Sequence, residues 1–488
     1  MLYMGPYSVI MRVPSSLQLR VHQSGWVKGL VGSRRRQYAH RASSIAEDTS
    51  IFAENESYDE EKEAISSAYV HLPFCKKKCL YCDFPVVAVG HGRKIADYDA
   101  QYKDYKDSMM TSYVDSLCKE MELTPHRSGL HTREESEDVG HVALKTLYFG
   151  GGTPSLLPLK ELERILEVLR RRFGIEPTAE ITIEADPGTF DSNRLKSYMN
   201  LGITRVSVGV QAFDDRLLEL CGRSHALYDV YKAIEDVHAA DVPSWSLDLI
   251  SGLPELDMDA WERNIMCAID AQSHHISSYD LQVEPGTPFH SLYRPGVRPL
   301  PSDDETASMH ARAVDLFTAH GFDHYELSSY AKRGHQCVHN AVYWDGKGYH
   351  AFGMGASSYV HRSRVTRPRK FNAYLAWVKQ FEESIENNHH PLPHVATPRA
   401  TSEDVLTDMI MLQLRKASGL DLGMMESRFR HGALIKDAIL DAISTSVERG
   451  LVEYDEENNI VKFIDPDGFL LSNDVISDIF VALDRLKT

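Results

Sequence analysis

The sequence predicts an α/β protein: a partial barrel of six βα units, followed by a smaller C-terminal α+β domain of winged-helix-like pattern. Between Tyr69 and Leu281, six apolar strand-like runs alternate with helical patterns, the signature of parallel strands joined by crossover helices. Three of those runs alternate apolar with small polar residues, which argues for a sheet with two buried faces of different character. From Thr401 onward the order changes to helices followed by an acidic hairpin.

The six runs are AYVHL, TLYFG, EITIEAD, TRVSVGVQ, SWSLDLI and HISSYDL, separated by segments such as LKELERILEVLRRRFG. Successive strand side chains point to opposite faces. Val206, Val208 and Val210 therefore share one face, and Arg205, Ser207, Gly209 and Gln211 the other. In the same way Ile181 and Ile183 oppose Glu180, Thr182 and Glu184, while Trp245, Leu247 and Leu249 oppose Ser244, Ser246 and Asp248. If the apolar parity packs under the outer helices, the barrel interior is polar, whereas a barrel without a ligand is plugged by branched apolar layers. Such an interior is built to hold something. A sheet with one solvated face is the alternative.

The stretch from Val89 to His141 is polar and long for a connection, and it is expected to be a mobile insertion around a helix at SYVDSLCKEMEL. At the other end, TSEDVLTDMIMLQLRKASGL has a capped helix start and a glycine stop, and LVEYDEENNIVKFI reads as a hairpin. That is the pattern of a winged-helix-like domain, yet residues 401–488 hold 17 acidic and 9 basic residues, so a scaffold or lid is expected and not a nucleic-acid binder. The expected divisions are a leader over 1–62, the core barrel over 63–300, a barrel extension over 301–397 and the C-terminal domain over 398–488.

With 43% hydrophobic and 25% charged residues among 488, the composition is that of a globular protein with a sizeable core. The net charge of -17 argues against non-specific binding to nucleic acid or anionic membrane. The first 46 residues differ in kind: they hold seven Lys or Arg, with Arg34, Arg35 and Arg36 adjacent, and no acidic residue precedes Glu47. This is the composition of an organelle transit peptide, with the mitochondrion expected, the chloroplast as alternative, and the cytoplasm if the leader is only a basic tail. No apolar run there reaches the ~18 residues of a membrane span, and no transmembrane segment is expected.

Three of the seven cysteines crowd the loop HLPFCKKKCLYCDF, at intervals of four and three. Cys118, Cys221, Cys267 and Cys337 are scattered and read as core or incidental thiols. Thiolates at CxxxCxxC can bind zinc or an iron-sulfur cluster. Structural zinc wants a fourth protein ligand, such as His71 or a distant group, whereas a 4Fe-4S cluster can take Cys75, Cys79 and Cys82 and leave one iron open. Downstream, YFGGGTPS places Gly150, Gly151 and Gly152 between a strand and a helix beginning near Pro158, where bare backbone can approach a ligand. A simple turn explains the triplet equally well.

Taken with that triplet, the cysteine loop resembles the radical S-adenosylmethionine superfamily, in which CxxxCxxC follows the first strand of a partial (β/α)6 barrel. The resemblance implies a 4Fe-4S cluster on Cys75, Cys79 and Cys82, with S-adenosylmethionine on the open iron, and reductive cleavage of the sulfonium to a carbon radical. A closed polar interior would keep that radical from water and stray C–H bonds. The likeness sharpens to the oxygen-independent coproporphyrinogen III oxidase-like family through YVHLPFC, YFGGGTPS, EADPGT, GVQAF, GRSH, DLISGLP, YELSSYA and HNAVYW, over roughly Ala68 to Asn473. It implies Tyr69, Tyr81, Gly151, Gly152, Thr153, Glu184, Gln211, Arg223 and Asp248 as cofactor contacts. Parity had already set Glu184, Gln211 and Asp248 on the polar face.

Within that family two functions compete. The enzyme that decarboxylates coproporphyrinogen III to protoporphyrinogen IX carries CxxxCxxCxC, and this chain has Phe84 at the fourth cysteine. The haem-chaperone branch reads CxxxCxYCDF and HNxxYW, both present here, the second as His339, Asn340, Tyr343 and Trp344. Resemblance to that branch implies haem as bound cargo, acceptor haemoproteins as partners and a ferredoxin- or flavodoxin-type electron donor. An imidazole can ligate haem iron and aromatic rings can stack on a porphyrin, so these four residues are the expected haem contacts. Packing at the barrel end is the alternative for all four.

Overall fold

The computed structural model describes residues 51–55, 64–90, 99–125, 142–387 and 398–487. The transit-like leader, apart from 51–55, lies outside the described residues. Six parallel strands form the centre: β1 Ser67–Leu72, β2 Leu144–Gly151, β3 Ile175–Ala185, β4 Arg205–Gln211, β5 Trp245–Ser251 and β6 His275–Asp280. They pair in chain order with helices between them, the expected βα repeat. Two additions come from the 301–397 extension. Asp323–Glu326 (β7) and Ser329–Ala331 (β8) add antiparallel beyond β6, and His350–Phe352 (β9) adds parallel beside β1. The sheet ends on β9 and β7, so the barrel is open.

Both faces are buried, because β1, β4 and β5 are buried along their whole length. That removes the alternative of a solvated face. Ile181, Ile183, Val206, Val208, Val210, Leu247 and Leu249 join the apolar core under the helices, as the parity required. Leu159–Arg172 shows why these helices form: Leu162, Ile165, Leu166 and Leu169 recur at helical spacing and are buried, and Arg170 to Arg172 in the last turn complement the helix dipole. Asp191, Asp214 and Asp257 each accept from the backbone N–H three residues on, which sets the start of a helix.

The region expected to be a mobile insertion is different. A 25-residue helix, Asp99–Leu123, begins within that polar stretch at DAQYKDYKD, while 91–98 and 126–141 lie outside the described residues. The helix is held by tertiary packing that its weak amphipathicity hid: Met110, Tyr113, Val114, Leu117 and Met121 are buried against the core. Its Glu120 is fully buried. Its carboxylate accepts from Arg367 Nε (2.7 Å), Tyr374 Oη (2.7 Å) and Gly353 N (2.9 Å). Nearby, Tyr113 Oη donates to the His71 carbonyl and accepts from Met354 N, tying this helix to the ends of β1 and β9.

A second apolar cluster, from Val405 to Leu486, forms the C-terminal domain. Thr401 and Asp404 make the capping box of Ser402–Gln413, and Val452–Asp455 pairs antiparallel with Ile460–Phe463 as the hairpin, joined by Leu420–Asp421 as a third strand. Gly419 is not the helix stop. It lies beyond the helix end, at φ 74°, where a Cβ would meet the Val461 carbonyl at 2.3 Å. Residues 51–55 pack here as well: Phe52 is buried in this cluster, and Glu54 pairs with Arg428 (2.7 Å) and Arg362.

Because Arg367 is the only cation paired with Glu120 among the described residues, Arg367→Met should destabilise the chain by about 3 to 5 kcal/mol, the usual cost of stranding a buried charge. Denaturant unfolding measures it. Adding Glu120→Gln to Arg367→Met should recover part of the loss.

Candidate cluster and cofactor site

At the C-terminal ends of the barrel strands, one cavity gathers Cys75, Cys79 and Cys82 with Glu184, Gln211 and Asp248. Tyr81, Gly151, Gly152, Thr153 and Arg223 line the same cavity. The cysteine loop leaves β1 and is pinned by backbone bonds: Val89 N donates to Cys75 O, Leu80 N to Cys221 O, and Phe289 N to Leu80 O. Thr153 N donates to Phe74 O and Gly152 N to Leu72 O, which lays the glycine loop against it. The glycines are required by this crossing. At Gly151, φ 114°, a Cβ would meet the His71 ring at 2.4 Å, and at Gly152 it would meet Pro73 backbone at 2.6 Å.

Glu184 accepts from Gly151 N (2.9 Å) and Tyr148 Oη (3.0 Å). Asp248 accepts from Ser207 Oγ (3.4 Å), which in turn accepts from Ser246 Oγ (3.0 Å). Burial pushes both carboxyls above their ordinary range. Arg223 is the cation of the site. Its guanidinium donates to Cys79 Sγ (3.3 Å), Tyr81 Oη (3.2 Å), Asp186 Oδ1 (2.7 Å) and the Gly209 carbonyl (2.9 Å).

Two buried polar atoms here have no protein partner: Gln211 Oε1 and Arg223 Nε. Gln211 also sits at φ 72°, at a bulge in the β4–β5 pairing, a conformation that costs on the order of 1 to 3 kcal/mol in a residue with a Cβ. An orphaned acceptor, an orphaned donor and local strain around one cavity fit a bound polar ligand. The thiols fit a cluster. Burial raises Cys75, and burial with the neighbouring Cys79 pushes Cys82 up to about 11, so these two are poorly suited to stand as free thiolates. No three His, Cys, Asp or Glu among the described residues are close enough to close on a single ion, although the three sulfurs line one cavity. The free space is about 60 Å3, well under the ~300 Å3 of a small-molecule site, and Lys77 and Lys78 of the cysteine loop are exposed beside it.

Not every expected contact reaches the cavity. Tyr69 lies behind it, bonded to His71 Nδ1 (3.2 Å) and stacked on Tyr148. Sequence reasoning passed over Asp186, which lines the cavity and anchors Arg223; its parity with Glu184 was the available signal. Phe84 lines the cavity as well.

The HNAVYW residues form a separate structure, the helix Val338–Trp344, whose first N–H groups are capped by Glu180 of β3: Val338 N at 3.1 Å and His339 N at 2.9 Å. His339 is buried, hydrogen-bonded through Nδ1 to Thr146 Oγ1 (2.8 Å) and through Nε2 to Tyr343 Oη (2.8 Å). Burial holds its pKa down to about 3. An imidazole with both nitrogens engaged offers no free lone pair to an iron, so the structure does not present His339 as a haem ligand. Asn340 and Trp344 are buried beside it; Tyr343 reaches a second cavity, on the side of the C-terminal domain.

The Radical SAM superfamily model matches residues 69–266. The chain is 37% identical to the heme chaperone HemW of Synechocystis sp. over 434 residues, 86% of this chain and 97% of that protein. It is 29% identical to the heme chaperone HemW of Bacillus subtilis over 84% of this chain and 98% of the relative. Among solved structures, coproporphyrinogen III oxidase (HemN) from Escherichia coli, a radical SAM enzyme, superposes with a TM-score of 0.66 over 90% of this chain and 98% of that one; at 18% identity the likeness is one of fold.

Two outcomes follow from this geometry. Replacing Cys75, Cys79 and Cys82 by Ala should abolish the brown absorbance of anaerobically reconstituted protein; stoichiometric zinc without iron in the unaltered chain would refute the cluster. Asp248→Asn should weaken S-adenosylmethionine binding by about 1 to 3 kcal/mol, measured by calorimetry. The folded carboxyl of Asp248 is raised above its unfolded value, so its destabilisation is present at neutral pH and is lost as pH falls through the raised value. Thermal melts of the cofactor-free variant should therefore exceed the parent at about pH 8, with the difference shrinking towards about pH 5.

Proposed function

The chain belongs to the HemW family of radical SAM proteins, and from that membership we infer that it works as a haem chaperone, binding haem and passing it to acceptor haemoproteins. The observation that carries this reading is the 37% identity to a haem chaperone over 86% of this chain and 97% of that protein. Phe84 supports it: an apolar ring lines the cluster cavity where the decarboxylating enzyme's motif has a fourth cysteine. The oxidase likeness is one of fold and leaves that enzyme as the alternative.

In this reading Cys75, Cys79 and Cys82 hold the 4Fe-4S cluster, and Glu184, Gln211, Arg223 and Asp248 hold S-adenosylmethionine. When bound, the cluster supplies an electron to the sulfonium. The chain's own residues do the rest. Arg223 sets a guanidinium against Cys79 Sγ, opposing the charge of thiolates gathered in a buried site. Glu184 and Asp248 present carboxylates to the cationic groups of the cofactor, and Ser207 and the Gly151 N–H orient them. Gln211 Oε1 and Arg223 Nε are satisfied on binding. Tyr81 and Phe84 cover the cavity and exclude water. A ferredoxin- or flavodoxin-type donor is the expected electron source.

The test is anaerobic reconstitution followed by separate assays. The loaded protein should bind haem stoichiometrically and deliver it to an apo-haemoprotein, with no protoporphyrinogen formed from coproporphyrinogen III in the presence of a reduced flavodoxin. Robust decarboxylation would restore the enzyme reading.

A further inference from the structure

The second cavity is larger than the first, about 360 Å3, and none of the cluster or cofactor residues lines it. It lies between the helix Val338–Trp344 and two helices of the C-terminal domain, Ser402–Gln413 and Leu422–Arg428. We propose that haem docks in this cavity, against Tyr343, Tyr359 and Met424, and not on His339. This rests on the haem-chaperone reading and names the place where the cargo sits.

The lining has the chemistry of a flat, apolar, dianionic ligand. Its floor is aromatic and thioether: Tyr343, Tyr349, Met409 and Leu412 are buried, with Tyr359 and Met424 half-buried above them. Tyr343 and Tyr349 meet edge to face at 4.7 Å, which holds one ring flat to the space and leaves little room to collapse. The volume falls in the range of small-molecule sites.

The charges are at the mouth. Lys347 and Lys416 share one carboxylate, that of Asp345, at 3.0 and 2.6 Å, and so leave an excess positive charge. Arg364 lies over the Tyr359 ring at 4.9 Å. Arg428 is drawn to Glu54 behind the cavity, and the Asp421 carboxylate accepts from Met424 N to cap its own helix. The remaining carboxyl, Asp408, is held up to about 7 by burial, so it opposes an anionic ligand less than an ordinary aspartate would. Two propionates are the natural complement of that rim.

No histidine lines this space, so an iron placed here would take a thioether or a phenol oxygen, both known haem ligands. Met424 is the more exposed of the two thioethers. Tyr343 also links the cavity to the cofactor site. Its hydroxyl bonds to His339 Nε2, the His339 ring stacks on Tyr148 at 5.3 Å, and Tyr148 donates to Glu184. HNAVYW then acts on haem through Tyr343, with His339 positioning that phenol.

The experiment is a haemin titration followed by the Soret band, on cluster-loaded protein. Met424→Trp fills the cavity and Arg364→Glu reverses a rim charge; each should weaken haemin binding at least tenfold while cluster absorbance stays as in the parent. His339→Gln, which can still bond to Tyr343, should bind within threefold of the parent with the same Soret maximum. If Met424→Trp fails to load its cluster, Arg364→Glu decides. Parent-like haemin binding by the cavity variants, or loss of the Soret band in His339→Gln, overturns this site and leaves the chaperone reading standing. No haemin binding by the parent overturns both.

Discussion

The cofactor cavity depends on the register of four parallel strands. Glu184 of β3 stands opposite Ser207 of β4, Ser207 opposite Ser246 of β5, and Asp248 opposite Ser277 of β6. A slip of one residue in any of these would send its polar set under the helices and its valines or leucines into the cavity. The apolar parity therefore does two jobs. Packing Ile183, Val206, Val208 and Leu247 into the core holds the register, and the register holds two buried carboxylates in an interior that otherwise disfavours them.

At the rim of that interior the chain accepts local costs. Gln211 is bulged and left-handed, with an orphaned carbonyl oxygen, and Arg223 keeps an unbonded Nε while its other nitrogens reach a thiol, a phenol, a carboxylate and a backbone carbonyl. Groups in such positions are stabilised by what they bind. The cysteine loop is held at its start and in its middle: Cys75 O accepts from Val89 N, and Leu80, between Cys79 and Tyr81, is bonded to Cys221 and Phe289, while Lys77 and Lys78 are exposed.

The extension after β6 turns an open barrel into two connected sites. Glu180, from the polar face of β3, caps the helix of HNAVYW, and Thr146 of β2 bonds to His339. The same short helix sends Tyr343 to the C-terminal domain. The buried Glu120–Arg367 pair plays the matching role on the opposite side, joining the long helix to the segment after β9. In both places a polar group in the sheet or helix is committed to a neighbour and not to solvent.

The six strands, their polar interior and the cysteine loop were legible in the sequence, because period-two alternation and short ligand spacing are local properties that a chain carries into any fold. The capped start of Ser402–Gln413 and the hairpin at Val452–Phe463 were legible for the same reason. What the sequence could not show was decided by contacts far apart in the chain. The helix Asp99–Leu123 is held at Glu120 by Gly353 and Tyr374, more than two hundred positions later, and Phe52 packs into an apolar cluster formed after residue 400. Tyr69, placed in the site by its motif, is absent from the cavity lining and bonds to His71 in the fold. His339 carried a ligand's chemistry in sequence and spends both nitrogens on Thr146 and Tyr343 in the fold. A residue's type determines which bonds it can make; only the tertiary structure decides which partners arrive, because partners such as Thr146 for His339 come from segments far apart in the chain.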